Sequence, residues 1–168
     1  MIKRIKGHPI LSGLIEDTCC ENEVCVTFDD DIPRESYVII KVDKYYNSLK
    51  GIKIPPSVDC LIIRKCENMG YGLTLVELKN IHTSARFETD NLEGKFATTL
   101  YDFIKGRFKN PLDIDYKDVK LFFVSNIEIY KRDFGLKLEV LINLRFNFND
   151  RKIMVTPRMP TPSISKCY

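Results

Sequence analysis

No uncharged apolar run in this chain approaches the roughly 20 residues a membrane helix needs. The longest, Cys60 to Ile63 and Val119 to Val124 with its Lys120, stop far short, so no membrane span is expected. The opening Met1-Ile2-Lys3-Arg4-Ile5-Lys6 turns at Gly7 without the continuous apolar stretch and small-residue cleavage site of a secretory signal, and the chain reads as cytoplasmic. Internal repeats and low-complexity blocks are also missing. With 44% apolar and 29% charged residues, fibrous, collagen-like and disordered classes drop out. Charge of one sign is scarce too: 26 basic against 23 acidic side chains leave +3, which permits a polyanionic partner without identifying one.

The six cysteines, Cys19, Cys20, Cys25, Cys60, Cys66 and Cys167, contain no C-x-x-C pair. Cys60 and Cys66 lie in or beside an apolar run, where a reduced thiol behaves as a small hydrophobe. A zinc site from Cys19, Cys20 and Cys25 with His8 lacks the usual ligand spacing.

The 168 residues suit one domain, read as residues 1–155, followed by an extended tail over 156–168 that carries Pro157, Pro160 and Pro162. Apolar spacing suggests a short helix over Ile10 to Glu16 and a strand over Val24 to Phe28. Asp29-Asp30-Asp31-Ile32-Pro33 reads as a solvated turn or cap, since the other positions of a calcium loop are missing. Tyr37 to Val42 has strand character and Asp43 to Leu49 helical spacing, with the boundary open. Thr89 to Phe108 reads as a helix with Asp90 and Glu93 in capping positions and an apolar stripe of Leu92, Phe96, Leu100, Phe103 and Ile104, ended by Asn110-Pro111. Val119 to Tyr130 and Leu136 to Phe148 read as strands. The second has Leu136, Leu138, Val140, Ile142, Leu144, Phe146 and Phe148 on its core face.

Val58 to Cys66 and Leu73 to Lys79, both rich in Val, Ile and Leu, flank the turn signal Asn68-Met69-Gly70-Tyr71-Gly72 and form a β-hairpin. Folding it about Asn68 brings Asp59 beside Glu77, and the two-residue period of a strand projects Glu77 and Lys79 together. Paired carboxylates are costly unless a cation neutralises them, and an oxygen-rich site suits Mg²⁺, with Mn²⁺ as substitute. Such an ion lowers the pKa of a bound water and polarises a phosphodiester. Lys79 would then position the water and offset developing charge. A solvent-facing cross-strand ion pair of the same residues is an equally simple reading. A second Glu-x-Lys, Glu93-Gly94-Lys95, falls in the predicted helix, where positions two apart point about 200° from one another, so no shared site is expected there.

Pro56-Ser57-Val58-Asp59 and Glu77-Leu78-Lys79 resemble the motif of the PD-(D/E)XK nuclease superfamily, with one departure: Ser57-Val58 separates the proline from the acid. The resemblance covers residues from about 36 to 130. It implies a restriction-endonuclease-like core in an α/β (α+β mixed) fold, a mixed central β-sheet flanked by α-helices. It further implies Mg²⁺ held by Asp59, Glu77 and the Leu78 carbonyl, with Lys79 assisting the water. Many members add a glutamate on a preceding helix, for which Glu35 is the nearest candidate and Glu16 the next. His82, Ser84 and Arg86, and the cations Lys105, Arg107 and Lys109, are candidate DNA contacts or ordinary surface. The expected function is a metal-dependent DNA endonuclease working as a homodimer, since two strands need two cuts. The alternative is a non-catalytic nucleic-acid-binding or protein-interaction module on the same fold.

Overall fold

Val38 to Ile40 and Cys60 to Ile63 are apolar without alternation, the pattern of strands buried on both faces, and every one of these residues is fully buried. They lie at the centre of a computed structural model that describes residues 1–49, 53–80, 89–125 and 141–168, with the backbone alone at 89 and 90. The strands are β1 (Ile15–Glu16), β2 (Cys19–Glu21), β3 (Val24–Phe28), β4 (Tyr37–Lys41), β5 (Cys60–Lys65), β6 (Tyr71–Lys79), β7 (Asp118–Ser125), β8 (Arg145–Phe148), β9 (Arg151–Arg158) and β10 (Ser163–Ile164). The helices are α1 (Ile2–Lys6), α2 (Val42–Ser48), α3 (Thr89–Ala97), which continues as a π-helical stretch Thr98–Arg107, and α4 (Lys109–Leu112).

Seven strands form one mixed sheet in the order β1-β4-β5-β6-β7-β9-β8, parallel at β6–β7 and β7–β9 and antiparallel elsewhere. The fold is therefore mixed α/β. Strand alternation divides the apolar residues between two cores. Leu61, Ile63, Leu73, Leu75, Leu121 and Phe123 pack with Leu92, Phe96, Leu100, Phe103 and Ile104 on the helical face. Ile39, Ile62, Val76, Leu78, Phe122 and Val124 pack under a small sheet of order β10-β3-β2 on the other. Among the described residues the helices thus cover one face.

The hairpin turn depends on its glycine. Gly70 holds φ +125°, and a Cβ there would meet the Lys117 side chain at 2.8 Å, so no other residue fits without displacement.

Several expectations need correction. The long helix ends at Arg107, one residue from the expected Phe108, while Asn110-Pro111 lies inside the short α4 that follows. The strand over Leu136 to Phe148 is confined, among the described residues, to Arg145–Phe148; residues 141–143 are helical, which buries Leu141 and leaves Ile142 exposed, the reverse of the alternation. Residues 126–140 and the Asp90 cap lie outside what is described. The cysteines are not reduced thiols. They pair as Cys19–Cys60, Cys20–Cys25 and Cys66–Cys167, while His8 accepts the Ile10 and Leu11 N–H groups at 3.2 Å each. The Pro-rich segment is extended, as its composition predicts, and anchored: residues 156–158 complete β9, β10 pairs with β3, and Cys167 binds Cys66. Among the described residues no helix is long and apolar enough to cross a membrane.

One buried charge tests the large sheet. Arg64 is 1% exposed, donates to Thr74 Oγ1 at 3.0 Å and pairs with Asp118 on β7. Removing one partner of a buried pair strands the other charge, so Asp118→Asn is expected to cost about 3 kcal/mol by chemical denaturation. A loss under about 0.5 kcal/mol, the scale of an ordinary surface change, would mean Arg64 is neutralised otherwise.

Candidate active site

The β5–β6 ladder pairs Cys60 with Val76, and one step further Asp59 stands opposite Glu77, the neighbours the hairpin predicts. Because Leu61 and Leu75 face the helices, the two-residue period turns Asp59, Glu77 and Lys79 to that face as well. Both acids are buried, Asp59 at 7% exposure and Glu77 at 2%. The Asp59 Oδ2 accepts the Leu78 N–H at 2.6 Å, and Leu78 buries its side chain under the small sheet. Lys79, at the end of β6, is exposed, and its charge lowers the proton affinity of Glu77.

The cation nearest the acids comes from the helix. Lys95 Nζ lies 2.5 Å from Glu77 Oε1. Glu93 is exposed and Lys95 half-buried, so the two diverge as helical geometry requires, but Lys95 alone reaches the site that pattern was expected to avoid. α3 seats closely on the segment before Asp59. A Cβ on Gly94 would meet Pro56 at 3.3 Å, and Thr99 Oγ1 accepts the Val58 N–H at 3.3 Å while donating to the Lys95 carbonyl at 2.9 Å. The sequence signal for Lys95 is its place three residues after Leu92 and four before Thr99, both buried, which sets a lysine within the apolar arc.

Burial raises the Asp59 pKa to about 6, against the lowering effects of the Leu78 N–H and Lys95. Glu77 rises further, to about 8, through burial and the adjacent Asp59, with Lys95 opposing. Burial works against the Lys95 charge, yet Glu77, Asp59 and Glu21 outweigh it and hold its pKa above the usual lysine range. Burial and the neighbouring Asp59 thus favour the protonated form of Glu77, while the Lys95 ammonium favours its carboxylate. Glu77 Oε2 is buried with no hydrogen-bond partner among the described residues, and so is Asp43 Oδ1 in the first turn of α2. Asp43 and Glu21 both raise the Asp59 pKa, so they stand within its electrostatic reach. Among the described residues no three His, Cys, Asp or Glu side chains group closely enough to hold a metal unaided.

Other candidates lie elsewhere. Glu35 is exposed, just before Tyr37, which pairs with Arg64, whereas Asp59 adjoins the Lys41–Cys60 end. The length of β4, roughly 15 Å at strand rise, keeps it from the acids. Glu16 pairs with Lys44 at 2.9 Å, Arg107 with Asp102 at 2.6 Å, and Lys105 lies 4.9 Å from the Phe148 ring centre. His82, Ser84 and Arg86 fall outside the described residues. No protein-family model, curated protein or solved structure matches the chain.

Proposed function

We propose that this chain is a metal-dependent DNA endonuclease of the PD-(D/E)XK type, with Asp59 and Glu77 as the metal-binding acids. The observation that carries the reading is the pairing of two buried carboxylates, one with an unpartnered oxygen, at the end of a central hairpin beside two lysines. The order of elements supports it too: a three-stranded antiparallel unit, β4-β5-β6, then α3, then β7.

Mg²⁺ is commonly held by one or two carboxylates with water and substrate phosphates filling the remaining positions, and Asp59 with Glu77 Oε2 suits that demand without a third acid. Asp43 replaces Glu35 as the nearby acid from a preceding helix. When bound, such an ion supplies polarisation of the phosphodiester and a more acidic water. Lys95 holds Glu77 in place through its ion pair. Lys79, exposed at the strand end, offsets charge developing on the phosphate. The substrate class is DNA, and a homodimer would serve double-strand cleavage. All six cysteines paired suits an oxidising compartment, or the cytoplasm of a hyperthermophile, where disulfides also persist.

Purified protein incubated with supercoiled and linear DNA in Mg²⁺ or Mn²⁺ should give discrete cleavage that EDTA abolishes. Asp59→Ala, Glu77→Ala and Lys79→Ala should each lower the rate by at least about 100-fold. Undiminished cleavage by Glu77→Ala would overturn the assignment. The Lys95–Glu77 bridge favours one second reading, a non-catalytic module in which lysine permanently replaces the metal. Calorimetry finding no Mg²⁺ or Mn²⁺ bound, together with no cleavage, would establish that reading.

A further inference from the structure

Among the described residues the small sheet leaves one part of the large sheet uncovered. Ile153 and Val155 on β9 and Phe146 and Phe148 on β8 are buried on the helical side. Strand alternation therefore sends Lys152, Met154, Thr156 and Arg158, with Arg145 and Asn147, to the opposite face, and all six are exposed. The register sets Arg145 beside Met154 and Asn147 beside Lys152. Next to them on β7, half-buried Lys120 shares the face, and the Arg158 guanidinium lies 5.0 Å from the centre of the Phe122 ring.

The charge of this face is one-sided. On β7, β8 and β9 its one acid is Asp118, which already meets Arg64 and Lys120. Arg145, Lys152 and Arg158 form no ion pair with any described residue, as is also true of exposed lysines such as Lys3, Lys6 and Lys65; what sets these three apart is that they share one side of two adjacent strands. In a chain whose net charge is only +3, three cations on one sheet face whose single strand acid is already paired form a local positive patch. Direction matters as well. Lys152 and Arg158 stand six residues apart on β9, a span of roughly 20 Å at strand rise. Arg158 pairs with Val124, and Val124 with Leu78, so the basic row ends at the level of the residue beside Glu77.

We propose that the exposed β8–β9 face is a DNA-backbone binding surface, in which Arg145, Lys152 and Arg158 engage phosphates along one strand and lead it to the sheet end at which Asp59 and Glu77 stand on the opposite, helical face. Cations spread over that length match about six nucleotide rises of one strand, and their flat, sequence-blind arrangement suits backbone contact over base reading. The choice of DNA as the polyanion rests on the nuclease reading above, but binding through this face does not require cleavage.

The test measures binding in EDTA, where no metal-dependent cleavage occurs, by anisotropy of a short fluorescent duplex across a salt series. Arg145→Gln, Lys152→Gln and Arg158→Gln combined should weaken binding at least about 10-fold and make the slope of log K against log salt shallower by about 2 to 3, one phosphate contact per cation. Lys6→Gln, exposed on α1, whose Ile2 and Ile5 join the helical-side core, controls for general charge and should leave both unchanged. Thermal melting checks that the triple variant is folded, and single substitutions replace it if it is not. Unchanged affinity and slope in the folded variants would overturn the proposal, as would an equal loss from Lys6→Gln. If the face binds DNA but Glu77→Ala does not alter cleavage, the surface stands and the catalytic assignment falls.

Discussion

Full reduction of the three disulfides is expected to remove a large part of the folding stability, with the greatest single loss from Cys66–Cys167. That bridge spans 101 residues of sequence and Cys19–Cys60 spans 41. In the chain-entropy treatment such loops are worth about 5 and about 4 kcal/mol, and the short Cys20–Cys25 loop about 2. Net stabilities of domains run from about 5 to 15 kcal/mol, so even a partial return on these values decides whether the reduced chain stays folded. The bridges also act at particular places. Cys19–Cys60 fastens the small sheet to β5, over the core of Ile39, Ile62, Val76, Phe122 and Val124. Cys66–Cys167 pins the terminal segment, where Lys166 also meets Asp31 and Glu67 at 3.0 Å each. Guanidinium titrations with and without reductant should show a marked drop in midpoint, and Cys66→Ser with Cys167→Ser should reproduce about half of it. Identical midpoints under both conditions, with thiols titrating in the native protein, would rule out this pairing.

These bridges were not legible in the sequence, and the reason is topological. Six cysteines allow 15 connectivities, and pairs this far apart are selected only by the finished fold. The hairpin was legible because both its strands are apolar throughout and its turn has one good centre, so Asp59 and Glu77 could be matched across a ladder. The spacing from Leu92 and Thr99 sets Lys95 within the apolar arc of α3, but its meeting with Glu77 depends on how the helix seats on Pro56 and Val58, which that spacing does not record. β9 escaped for a different reason: Arg151, Lys152, Pro157 and Arg158 dilute a strand whose core side is only Ile153 and Val155. Glu35 was placed near the acids by sequence distance, but β4 carries the chain the length of a strand before Asp59 is reached.

In metal-free protein the acid pair should make stability fall as pH rises. Glu77 has its folded pKa raised from 4.5 to about 8 and Asp59 from 3.8 to about 6. Between those limits the native state binds more protons than the unfolded chain, so the unfolding free energy decreases with pH. The contribution is full below the unfolded values and is lost as pH passes through about 6 and then about 8. For Glu77 alone the span is worth up to about 5 kcal/mol, and the coupling to Asp59 means the two losses do not simply add. Other titrating groups change too, so the informative quantity is the difference between wild type and Glu77→Gln, which keeps the neutral shape and cannot ionise. That variant should gain on the wild type steadily from pH 5 to pH 9 and surpass it at the upper end. Mg²⁺ adds the opposite dependence. It competes with the proton for the same oxygens, so its stabilising effect on wild type should grow with pH and be absent in Glu77→Gln. Parallel melting curves for the two proteins across this range would show that Glu77 is ionised throughout, held so by Lys95, and that the site is a closed ion pair with no proton for a metal to displace.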